Sequence, residues 1–189
     1  MIIGILAVQG AFIEHAHVLA KLGVGSFEIR QKRDLDQPMD GLILPGGEST
    51  TMVRLLNDLD MFDTIKNKIT SGLPVLGTCA GMILLAKGLT NANQLSFQTM
   101  DISVERNAYG RQLGSFFTHD LFDDVEIPMT FIRAPYVHTY GPDVEVLSTV
   151  NQRVVAVRQK NQLATAFHPE LTDSTHVHEY FLEMILKNR

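Results

Sequence analysis

The chain carries one thiol, Cys79, in the stretch Pro74-Val75-Leu76-Gly77-Thr78-Cys79-Ala80-Gly81-Met82. An apolar run ending at Leu76, then G-x-C-x-G, then Met82-Ile83-Leu84-Leu85-Ala86 closed by Gly88 reads as strand, sharp exposed turn and helix. That order is the cysteine form of a nucleophile elbow, where the reactive side chain tops a strained turn and small neighbours let strand and helix close in. Backbone N–H groups at a helix start favour an anion, so the position suits a thiolate. The competing reading is a small buried cysteine. A thiol nucleophile needs a base, and the base an orienting group. Of the seven histidines (His15, His17, His119, His138, His168, His176 and His178), His168 directly follows the apolar run Leu163-Ala164-Thr165-Ala166-Phe167 and precedes Pro169-Glu170. Strand ends of open α/β sheets collect active sites. Pro169 disfavours helical backbone at His168, and Glu170, two residues on, points to the same side if the backbone stays extended. Its carboxylate would hold the imidazole's tautomer and stabilise the imidazolium. A turn with a capping acid before the last helix is the alternative.

The loop Pro45-Gly46-Gly47-Glu48-Ser49-Thr50 follows another apolar run. Its glycines let backbone N–H groups approach a ligand closely, as an oxyanion hole requires. No lysine follows them at phosphate-loop spacing, and a tight turn with a serine cap would use the same residues. The pairs His15/His17 and His176/His178 are i, i+2 on expected helices, which sends the rings to different sides. No acidic or thiolate set completes a metal site, so solvated helix faces account for them.

The elements that must position these groups follow from periodicity. Ile2 to Val8 is a continuous apolar run, the pattern of a strand covered on both faces. Phe12, Ala16 and Leu19 fall at helical spacing up to Gly23. Phe27 to Arg30 suggests a second strand, Gln31 to Asp40 a polar loop, and Gly41 to Leu44 a third strand. Ser49 or Thr50 can cap a helix that buries Met52, Val53, Leu56 and Leu59. A further short helix turns Phe62, Ile65 and Ile69 inward. Past Gly88 the expected strands are Asp101–Glu105, Met129–Arg133, Val144–Val150 and Val154–Gln159, with a hairpin turn at Asn161. The last helix repeats Val177, Tyr180, Phe181, Met184 and Ile185 at i, i+3, i+4, i+7, i+8. This alternation predicts an α/β fold, a three-layer sandwich with a largely parallel central sheet plus some antiparallel strands.

The chain's 189 residues suffice for one domain with its own core, taken as 1–189. A net charge of −5 without a basic block argues against a nucleic-acid surface. A single cysteine cannot form an internal disulfide and fits a reducing cytoplasm. The apolar N-terminus lacks a basic flank and is too short to span a bilayer.

Taken in order, Pro45-Gly46-Gly47-Glu48-Ser49-Thr50, Gly77-Thr78-Cys79-Ala80-Gly81-Met82 and His168-Pro169-Glu170 resemble the triad-type (class I) glutamine amidotransferases. Glu105-Arg106-Asn107-Ala108-Tyr109-Gly110-Arg111-Gln112, Phe131-Ile132-Arg133-Ala134-Pro135 and the opening Leu6-Ala7-Val8-Gln9-Gly10 narrow the likeness to the glutaminase subunits of pyridoxal 5′-phosphate synthase, over essentially the whole chain. The resemblance implies that Cys79 attacks the side-chain amide of L-glutamine and that a γ-glutamyl thioester is hydrolysed to glutamate. His168 would be base and acid, with Glu170 behind it. It implies an oxyanion hole from the N–H groups of Gly47 and Ala80, and a glutamine site of Gly47, Glu48, Ser49, Arg106, Ile132 and Arg133, with no cofactor or metal. Arginine binds a carboxylate through paired hydrogen bonds, whereas Ile132 and Arg133 can equally offer backbone groups. The implied partner is a synthase subunit, a (β/α)8 barrel that receives the ammonia. Its docking would complete the oxyanion hole; because glycine permits backbone states other residues resist, the switch expected for this is a peptide reorientation at Gly46-Gly47. Other readings are a glutaminase serving another acceptor, such as imidazole glycerol phosphate synthase, a free γ-glutamyl hydrolase, and a non-catalytic regulatory subunit.

Overall fold

Apolar runs with no alternation form the centre of a sheet whose two faces are both covered. The computed structural model describes residues 1–90, 92–106 and 114–187, so residues 107–112 of the Glu105–Gln112 motif lie outside the described residues. Strands β1 (Ile2–Leu6), β2 (Gly25–Ile29), β3 (Gly41–Leu44), β4 (Val75–Thr78) and β12 (Gln162–Thr165) make the parallel half, in the order β2-β1-β3-β4-β12. The sheet continues antiparallel from β12 through β11 (Arg153–Gln159) and β9 (Tyr136–Tyr140) to β6 (Met100–Glu105), with β5 (Ala86–Leu89) at the edge. β10 (Glu145–Val150) also pairs with β11, and β7 (Ser115–Phe122) with β8 (Val125–Ile132) forms a separate hairpin. This is the expected α/β architecture.

All four residues of β3 and of β4 are buried, as burial from both sides requires. Helix α5 (His176–Lys187) packs on β3 at Gly41, where any Cβ would stand 2.7 Å from Ile185 and 3.0 Å from Phe181. Helix α1 (Phe12–Lys21) neighbours α5, while α2 (Ser49–Asp58) packs on α3 (Phe62–Thr70) and on α4 (Ala80–Leu85). Every residue of α4 is buried. Register decides the rest. Leu44 of β3 pairs with Gly77, and Thr78 of β4 pairs with Thr165, so three loops leave one carboxyl edge of the sheet side by side. They carry Gly46–Glu48, Cys79 and His168–Glu170.

Some elements differ from expectation. Residues Lys32–Asp36 form a 3-10 turn that buries Leu35, so this loop contributes to the core. The helix after the cysteine ends at Leu85 because Ala86 pairs with Met100 and the chain continues as β5. The cap of α2 is Glu48, whose carboxylate accepts from the N–H groups of Thr50 and Thr51, in place of Ser49 or Thr50. Strands β7 and β9 were not anticipated. Among the described residues no helix is long and apolar enough to cross a membrane. Phe181 has 0% exposure and underpins the α5 contact, so Phe181→Ala should cost about 3–5 kcal/mol of unfolding free energy, read by urea denaturation.

Candidate active site

Cys79 takes φ 47° and ψ −99°, a backbone state that side-chain-bearing residues rarely occupy and that costs on the order of 1–3 kcal/mol. Neighbours over-determine it. The Cys79 N–H donates to the Thr165 carbonyl at 2.8 Å. Gly77 abuts Gly81, and a Cβ on Gly81 would lie 2.1 Å from the Leu44 carbonyl oxygen. The elbow therefore closes only with glycine on both sides of the cysteine, as its spacing predicts. The turn is less open than expected, with Cys79 only 6% exposed. It nevertheless borders a pocket of about 380 Å³ lined by Gly47, Glu48, Ser49, Cys79, Ile83, Arg106, Ile132, Arg133 and His168.

His168 leaves the end of β12 with its N–H donated to the Thr130 carbonyl at 2.8 Å, which ties the segment to β8. Its Nδ1 lies 2.7 Å from Oε1 of Glu170, and both residues are buried. Burial disfavours the imidazolium. Hydrogen bonds with Cys79 and Glu170, reinforced by their negative charges, more than reverse this and raise the His168 pKa to about 10. Burial likewise works against a charge on Glu170, but His15 and His168 hold its carboxyl below the usual range. With Nδ1 committed to the carboxylate, Nε2 is the nitrogen left for the sulfur. The ring fits because position 46 is glycine: a Cβ there would come within 2.2 Å of Cε1.

The glycine loop and the arginine meet across the pocket. The Gly46 carbonyl accepts from the Ala11 N–H at 3.0 Å, and the side-chain oxygen of Gln9 accepts from the Glu48 N–H at 2.9 Å. Arg106 donates to Gln94 at 2.9 Å and reaches Glu48 at 3.3 Å. Ser49 is buried against Gln94, and the Ile132 carbonyl lies 3.9 Å from the sulfur. Arg133 follows β8 with φ 45°. Ala80 opens α4, where N–H groups lack intrahelical partners. Ala80 and Glu170 stand behind the pocket's lining.

One expectation is overturned. His15 and His178 are not on solvated faces: both have 0% exposure, and their rings meet each other behind Glu170. His17 is exposed, as expected. The missed signal was phase. His15 shares a face with Val18 and Leu19, and His178 lies three residues before Phe181 and seven before Ile185. Gln9 and Thr78 stand inside the sequence motifs without a role of their own, and Gln94 in none, since isolated polar residues carry no periodic signal.

Residues 5–187 match the SNO glutamine amidotransferase family. The chain belongs to that family. It is 57% identical to the pyridoxal 5′-phosphate synthase subunit PdxT of Streptococcus pneumoniae (strain CGSP14), with 100% of both chains covered. It is 55% identical to that of Desulfitobacterium hafniense (strain DSM 10664 / DCB-2), covering 98% of this chain and 94% of the relative. A crystal structure of a glutamine amidotransferase superposes with a TM-score of 0.91 at 40% identity, covering 97% of this chain and 98% of that one. A glutamine amidotransferase from Thermotoga maritima shares the fold at a TM-score of 0.64 and 16% identity, covering 100% of this chain and 85% of that one.

Gly46→Ala tests whether ring placement matters. The methyl must push the imidazole off Glu170, so activity should fall about 100-fold while circular dichroism shows the chain still folded. Full activity in that variant would contradict this geometry.

Proposed function

We propose that this chain hydrolyses L-glutamine to L-glutamate with Cys79, His168 and Glu170, and hands the ammonia to the synthase subunit of a pyridoxal 5′-phosphate synthase. The observation that carries this reading is the meeting of a strained-turn thiol and a buried imidazole–carboxylate pair at the rim of one pocket. The names of the relatives supply the acceptor pathway.

The geometry suits a double displacement. Sulfur, with its proton on Nε2 of His168, attacks the amide carbon, forming the C–S bond and a tetrahedral oxyanion. The N–H groups of Gly47 and Ala80 serve that oxygen; one such donor contributes about 3 kcal/mol in comparable sites. Collapse breaks the C–N bond as the His168 proton passes to the leaving nitrogen, giving ammonia and a γ-glutamyl thioester. Acylation removes the sulfur's negative charge from beside the ring, so neutral His168 can then take a proton from water. Hydroxide adds to the thioester, the C–S bond breaks to leave thiolate beside protonated His168, and the new γ-carboxylic acid gives its proton to solvent as glutamate leaves. Glu170 balances the imidazolium in both halves.

Substrate recognition falls to the other pocket residues. Free glutamine presents an α-carboxylate and an α-ammonium, matching Arg106 and Glu48, which face each other at 3.3 Å. Ser49 and the backbone at Gly47, Ile132 and Arg133 complete the lining. Handing ammonia to a (β/α)8-barrel partner keeps it unprotonated, since ammonium is no nucleophile. Reorientation of the Gly46-Gly47 peptide on docking would have to break the bond from Ala11 N–H to the Gly46 carbonyl, giving the partner a switch to act on. Localisation in the cytoplasm follows from the same reading, which needs a reduced thiol.

Cys79→Ala, mixed with the synthase subunit, should lose glutamate release by at least about 10⁴-fold while still docking. A coupled assay and analytical ultracentrifugation read the two outcomes. Retained hydrolysis would point to another nucleophile.

A further inference from the structure

His15 and His178 are fully buried, and the mechanism above uses neither. They come from α1 and α5, far apart in sequence, and meet with Nδ1 of His15 2.8 Å from Nε2 of His178. The other nitrogen of His15 lies 3.3 Å from the Thr78 hydroxyl, next to the nucleophile, and 3.5 Å from Oε2 of Glu170. His168 occupies Oε1 of that carboxylate. Oε2 is buried without an ordinary hydrogen bond among the described residues, so the His15 ring is the polar group that faces it.

Proton bookkeeping orients the chain. If His15 carried its proton on Nδ1, its Nε2 lone pair could accept from the Thr78 hydroxyl but would face the carboxylate, and His178 would bury an N–H at Nδ1 with no acceptor. With protons on Nε2 of both rings, His178 donates to His15, the His15 N–H has the Thr78 hydroxyl at 3.3 Å and Oε2 at 3.5 Å before it, and the group left unmatched on the histidines is a lone pair at His178 Nδ1. The second arrangement costs less, because a buried N–H without an acceptor is dearer than a buried lone pair without a donor.

We propose that His15, seated by His178, is a positioning residue of the glutaminase, whose neutral ring aims Nε2–H at Glu170 and keeps that carboxylate ionised and turned toward His168. The proposal rests on the reading of Cys79, His168 and Glu170 as the catalytic triad. Burial, the largest influence on both rings, holds them below the ordinary imidazole range, His178 at about 3, which agrees with neutral rings. The titratable groups around the carboxylate are His168 on its own segment, His15 with Glu14 on α1, Cys79 at the elbow and His178 on α5. Of these, only His15 faces Oε2. Without it the buried carboxylate loses the polar group at Oε2, takes up a proton at higher pH, and stops serving as counter-ion to His168.

The test is the pH profile of kcat/KM for glutamate release by the complex with the synthase subunit. His15→Leu should move the acid limb up by about one pH unit. His15→Gln, whose amide N–H reaches the place of Nε2, should return it to the wild-type position. His178→Leu should shift it less in the same direction, and the double variant no further than His15→Leu alone. Where His15→Leu does not fold, His15→Asn against His15→Gln decides, since only the longer amide reaches Oε2 and only Asn should shift the limb. Equal limbs for the folded variants and wild type would overturn the positioning role. A wild-type complex that releases no glutamate, or a Cys79→Ala complex that does, would overturn the triad reading itself.

Discussion

A buried carboxylate is tolerated only when donors surround it, and the 2.7 Å contact between Glu170 and His168 is the interaction on which this site turns. Taking Glu170 out of water disfavours its charge, yet the surrounding rings hold its carboxyl below the usual range. The same pairing, with Cys79 on the opposite side, keeps a proton on His168 against its own burial. Fold and chemistry are therefore linked. The sheet must bring the ends of β4 and β12 into register for the pair to reach the sulfur, and it does so through Thr78 and Thr165. Position 46 must lack a side chain for the ring to enter.

The elbow stores strain that the core repays. A left-handed φ at Cys79 is held by the Thr165 carbonyl on one side and by two glycines packed against backbone on the other. Helix α4 is only six residues long, and all six are buried. It anchors Cys79 from behind. The pocket in front mixes backbone from the glycine loop with the Arg106–Glu48 pair, a combination suited to an amino acid bearing both charges.

Much of this was legible in the sequence. Uninterrupted apolar runs marked the doubly covered strands, and the glycines at 77 and 81 marked the elbow, because each signal reflects a steric requirement of one short segment. The contact between His168 and Glu170 was legible in the place of His168-Pro169-Glu170 after a strand. The family likeness, and not periodicity, singled out Arg106, Ile132 and Arg133. What stayed hidden depends on contacts between distant segments. Ala86–Leu89 became a strand because β6 offered it a partner. β7 escaped notice because its pattern exposes Phe117 and Leu121. The i, i+2 spacing of each histidine pair does not say which member shares the helix's apolar face, so spacing alone leaves His15 and His178 on solvated faces. Their meeting across 163 residues is tertiary information.

The central claim is that His168 carries its proton at neutral pH because Glu170 and the sulfur hold it there. Titration of the ring nitrogens by NMR, on chain labelled with ¹⁵N-histidine and assigned through a His168→Gln variant, addresses it directly. The account predicts an imidazolium that persists through neutrality and gives up its proton only near pH 10. A His168 ring that titrates at the ordinary imidazole value of 6.5 would contradict it.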